Sequence, residues 1–133
     1  MSTEGLLVLV ALAVAALGVL YRRARSRKLP DRSDLEFLQE LSRTHPVAAP
    51  PEVILQQRRR IARILGMAPE KLAPTQTVDL LSERLAYMGD FSVAWNDLLD
   101  EASASREAAG LDQRTEVPDT IGELLEDLLR APR

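Results

Sequence analysis

The chain opens with an apolar run that nothing later in it repeats. Leu6–Leu20 reads LLVLVALAVAALGVL, fifteen residues without a charge or a hydrogen-bonding side chain. With Gly5 and Tyr21 it makes a helix about 25 Å long at 1.5 Å per residue, at the short end of what crosses a bilayer. A core helix of a globular domain keeps a polar face, and this run has none. A cleaved signal peptide carries its positive charge before the apolar stretch. Here five of the seven residues from Arg22 to Lys28 are basic and come after it, whereas Met1–Gly5 holds only Glu4. The pattern predicts a single-pass anchor with its basic flank over residues 1–28, the N-terminus outside and the rest in the cytoplasm.

Beyond the anchor the period is helical throughout. Residues 29–51 read as a mostly solvated tether with a short helix over Asp34–Arg43, capped at Ser33 or Asp34 and carrying Leu35, Leu38 and Leu41. THPVAAPP at 44–51 ends that helix, because three prolines in six residues force extended backbone. A folded unit then starts at Glu52. In Glu52–Leu65 the residues Ile54, Ile61 and Leu65 share one side, flanked by Val53 and Ile64. Arg58, Arg59, Arg60 and Arg63 cover the remainder as a solvated face, and Gly66 stops the helix. Met67–Gln76 is a loop punctuated by Pro69 and Pro74. Thr77 caps a helix to Met88 with Val78, Leu81, Leu85 and Met88 on one face. Phe91–Ala104 follows, with Phe91, Trp95, Leu98/Leu99 and Ala102 as its stripe. Gly110 breaks the next stretch, where Leu111 points inward. Thr120-Ile-Gly-Glu123 has capping-box spacing, and Ile121, Leu124, Leu125, Leu128 and Leu129 build the last buried face. The reading is all-α: one transmembrane helix and a small bundle of four to five helices over residues 52–133.

Charge changes the picture. Of the 17 basic residues five lie at 22–28, and of the 20 acidic ones only Glu4 precedes residue 29, so residues 29–133 carry a net −7. That balance argues against nucleic acid and for basic protein surfaces as partners. There is no cysteine, and His45 is the only histidine. Thiolate chemistry is therefore excluded, and neither a metal site nor a Ser/His pair is expected. No nucleophile–base pair or glycine-rich phosphate loop is present, so an enzyme is not the expectation.

Several motifs resemble an acyl carrier protein over about residues 52–130. Ile64-Leu65-Gly66-Met67-Ala68-Pro69-Glu70-Lys71-Leu72 is similar to the end of that family's first helix and the loop after it. Gly89-Asp90-Phe91-Ser92 is similar to its Gly-x-Asp-Ser turn, with Phe91 in the place of the aspartate. Val93, Asp97 and Leu98-Leu99 continue the register, and Asp119-Thr-Ile-Gly-Glu-Leu-Leu resembles the final helix. Gly66 to Ser92 is about six residues longer than the family pattern. The resemblance implies that Ser92 carries 4′-phosphopantetheine. It also implies that a phosphopantetheinyl transferase and acyl-transferring enzymes are partners, met through Asp90, Asp97, Asp100 and Glu101. A helix start suits the arm's phosphate, and acidic side chains along that helix steer basic partners. Read without the resemblance, Ser92 is an ordinary N-cap. The chain is then a helical interaction module that brings a basic cytoplasmic partner to the membrane through the same acidic residues, held there by Leu6–Leu20.

Overall fold

In the computed structural model, residues 2–26, 29–85, 90–113 and 116–130 are described, the side chains of 21–26 and of Asp90 excepted. The apolar run forms α1 (Thr3–Ser26), with Leu6, Leu9, Leu12, Leu17 and Leu20 all exposed. Thr3–Leu20 is long and apolar enough to cross a membrane, and its side chains are left without a protein partner on almost every side. Five more helices follow: α2 (Asp34–Thr44), α3 (Pro51–Leu65), α4 (Val78–Leu85), α5 (Asp90–Ala108) and α6 (Ile121–Leu128), with a 3-10 turn at Pro69–Lys71. Among the described residues there is no strand, only one antiparallel bridge between Thr77 and Thr120.

The helix boundaries follow local chemistry. Ser33 caps α2 with a full capping box: its side chain accepts from the Glu36 N–H at 3.1 Å, and Glu36 accepts from the Ser33 N–H at 3.2 Å. α3 starts on two prolines, whose missing N–H groups cost nothing there, and ends at Gly66 in a left-handed conformation with φ 74°. Thr77 Oγ1 accepts from the Leu80 N–H, and Thr120 Oγ1 from the Glu123 N–H. The Glu123 side chain, however, reaches the Asp119 N–H rather than that of the cap residue. α5 runs four residues further than its stripe suggests, to Ala108, before the chain turns at Gly110 (φ 73°). α4 is described to Leu85; Met88 and Gly89, expected at its end, lie outside the described residues.

Segment 29–50 is not a solvated spacer. Leu29, Phe37 and Leu41 belong to the same buried cluster as Ile61, Leu65, Leu81, Leu98 and Leu125, and Leu38, Val47 and Ala49 pack against it. The reason is Arg58, which is not on a solvated face as its arginine-rich setting suggests: its side chain is 2% exposed. Arg58 Nη1 donates to Asp34 Oδ1 at 2.8 Å, and Nη2 donates to the carbonyls of Arg32 (2.7 Å) and Leu72 (3.2 Å). Its guanidinium carbon lies 4.5 Å from the centroid of the Phe37 ring. One buried cation thus holds α2 on α3. Burial pushes Arg58 below the ordinary arginine range, partly offset by Asp34. The folded unit therefore begins at Leu29, not at Glu52. His45, expected in a polar stretch, is half-buried, with its ring against Gly122 at the start of α6.

Candidate functional site

α5 carries the candidate site, and its two faces divide sharply. Phe91, Trp95, Leu98 and Ala102 are buried, as their spacing predicts, with Leu99 half-buried beside them. The Phe91 and Trp95 rings stack with centroids 6.1 Å apart and 16° between planes. Phe91 is thus a core residue and offers no charge where the carrier pattern has an aspartate. α6 packs along α5, and α3 and α4 also contact it. The helix is a fixed platform rather than a surface appendage.

The opposite face is solvent-exposed from its first turn. Ser92, Val93, Asn96, Asp97, Asp100 and Glu101 recur at i, i+1, i+4, i+5, i+8 and i+9, and all six are exposed. They form a strip about 14 Å long at 1.5 Å per residue. Ser92 is the third residue of α5 as described, inside the helix rather than its cap. Val93 beside it is 65% exposed. Asp97 and Asp100 stand free to meet a cation, whereas Glu101 is in an ion pair with Arg60 of α3. Asp90 is the first described residue of the helix, and its side chain lies outside the described residues. The structure therefore brings Ser92, Asp97, Asp100 and Glu101 onto one face. An exposed hydroxyl near the described N-terminal end of a helix fits a covalently attached arm: the oxygen is reachable and the space beyond it is solvent.

Concave features lie elsewhere among the described residues. An open cleft of about 380 Å³ is lined by Pro46, Val47, Ala109, Leu111, Leu129 and Arg130 among others, and includes none of the α5 strip. A smaller one, of about 90 Å³, lies between α5 and α6 over the Arg106–Asp127 pair. Sequence reasoning missed that pair. Arg106 Nη1 donates to Asp127 Oδ1 at 3.2 Å, while its Nε and Nη2 donate to the Asp112 carbonyl at 3.1 and 2.7 Å. Asp127 is 1% exposed. The signal was faint: an acid inside LLEDLL, beside the leucines of the buried face. Arg106 ties the turn after α5 to α6.

Among known proteins, no family model, no curated protein and no solved structure matches the chain.

Proposed function

We propose that the chain is a membrane-anchored, non-catalytic carrier-like module that presents a 4′-phosphopantetheine arm from Ser92 to membrane-associated enzymes. The observation that carries it is the placement of Ser92: exposed, in the first described turn of a long helix whose other face is locked in the core, at the head of an acidic strip. In this reading α1 spans the bilayer with the N-terminus outside, and the basic flank sits against cytoplasmic headgroups. The Ser92 oxygen holds the arm through a phosphodiester. The arm supplies a thiol that carries the acyl group as a thioester. Asp97 and Asp100 orient basic partners, and Val93 gives them an apolar contact beside the attachment point.

A second reading is favoured by Phe91, which is buried where the carrier pattern keeps an acid. The same strip then docks a basic partner at the membrane with no prosthetic group. Exposure of the full chain to a broad-specificity phosphopantetheinyl transferase and coenzyme A, followed by intact mass, separates the two. Wild type gains one phosphopantetheine and Ser92→Ala gains none if the carrier reading is right. A folded wild-type chain whose mass does not change refutes it. Salt-sensitive capture of a basic partner, indifferent to Ser92→Ala, would then support docking.

A further inference from the structure

We infer that the anchor and the bundle form one rigid body, so that the α5 strip is held in a single orientation to the bilayer instead of swinging on a tether. This rests on the reading of α1 as the anchor. Three observations carry it. The first is chain length: Leu29 is already in the core, three residues after the end of α1 at Ser26. The second is the fastening of the segment that follows. The Leu29 carbonyl accepts from Lys71 Nζ at 3.1 Å, the Arg32 N–H donates to the Glu70 carbonyl at 2.7 Å, and the Arg32 carbonyl accepts from Arg58. Further along, Glu40 takes Arg32 Nε on one carboxylate oxygen and Thr75 Oγ1 on the other. The third is lateral: α1 itself runs against α4, the helix that leads into α5.

Each fastening closes a different route to motion. The hydrogen bonds to Leu29 and Arg32 stop residues 29–32 from paying out as slack. Burial of Phe37 and Leu41 stops α2 from peeling away. The α1–α4 contact stops the bundle from rocking about its point of attachment. A carrier of this form does not search for its partners by sweeping; its partners must come to the α5 face at a fixed place above the bilayer.

The chain has no cysteine, so a pair of spin labels can be placed at will. Thr3→Cys and Ala104→Cys lie at exposed positions of α1 and α5. The labelled full chain is placed in nanodiscs of phosphatidylcholine and phosphatidylglycerol, and the interspin distance distribution is recorded. A second chain carries Gly-Ser-Gly-Ser inserted between Arg27 and Lys28, which gives about 11 Å of root-mean-square freedom as a flexible link. The expected result is a narrow distribution for the parent and one at least twofold broader for the insertion, with unchanged circular dichroism. A parent distribution already as broad as the roughly 11 Å of a flexible link overturns the rigid coupling while leaving the anchor reading intact. A chain that fails to float with vesicles of the same lipids overturns both.

Discussion

Replacing Phe37 by alanine asks whether the segment after the anchor is part of the fold. The ring is fully buried between α2 and α3, and removing a buried Phe side chain costs about 3–5 kcal/mol in transfer and cavity terms together. The same ring is the face on which the Arg58 guanidinium rests at 4.5 Å, a desolvated contact of roughly 2 kcal/mol. Arg58 Nε has no hydrogen-bond partner, so without the ring it borders an empty apolar space. The two terms overlap, and the expected loss is about 4–6 kcal/mol, much of the total stability of a domain this size. Leu35 lies two residues away on the same helix and is 64% exposed, so Leu35→Ala is the matched control, within about 0.5 kcal/mol of wild type. Trp95, the only tryptophan, is buried in the bundle and reports unfolding by its emission. Urea titration of the full chain in mild detergent then shows a midpoint about 2–3 M lower for Phe37→Ala, using a slope of roughly 2 kcal/mol per molar. A Phe37→Ala midpoint indistinguishable from that of Leu35→Ala would refute the packing of 29–44 on the bundle.

Other expectations use the same titration. A Cβ at Gly122 would sit 2.3 Å from His45 Nδ1, so Gly122→Ala costs about 1–3 kcal/mol. Most of that returns in the double variant with His45→Ala; strict additivity of the two changes would show that the contact is not the cause. Asp127→Ala leaves the mostly buried Arg106 without its carboxylate and costs about 3 kcal/mol, whereas Asp97→Ala on the exposed strip is nearly neutral; equal effects would contradict the assigned burial. Glu36 has its pKa lowered, first by the Ser33 backbone N–H and then by the Ser33 hydroxyl. Its cap therefore stabilises α2 above the ordinary glutamate pKa and is lost as pH falls through the lowered one. Glu36→Gln removes that acid-side dependence, and an unchanged stability–pH profile would argue against it.

Much of the bundle was legible because its helices are amphipathic and clearly punctuated. The α5 stripe, the Gly66 stop and the Thr77 and Thr120 caps depend on residues within one turn of each other, and local spacing carries that information. The packing of 29–50 was not legible for a physical reason. It depends on Arg58, 24 residues from its partner Asp34, and an arginine among arginines reads as solvated until its acceptors are in place. Asp127 was hidden in the same way, since a single acid in a leucine-rich helix reveals nothing of the arginine across from it. For the candidate site, exposure of Ser92 follows from the phase of Phe91 and Trp95. The neutralisation of Glu101 by Arg60 does not, because it joins residues 41 apart.

The small bridge between Thr77 and Thr120 bears on how the molecule is made. The Val78 N–H donates to the Asp119 carbonyl and the Ile121 N–H to the Gln76 carbonyl, so α4 and α6 start side by side, each cap leaning on the other. An eight-residue helix has little stability alone, and the start of α4 lacks its bridge until Thr120 and the start of α6 are in place. During synthesis α4 emerges before α6. The half-built domain must therefore wait with the start of α4 unpinned, and chaperone demand should fall once α6 has cleared the ribosome.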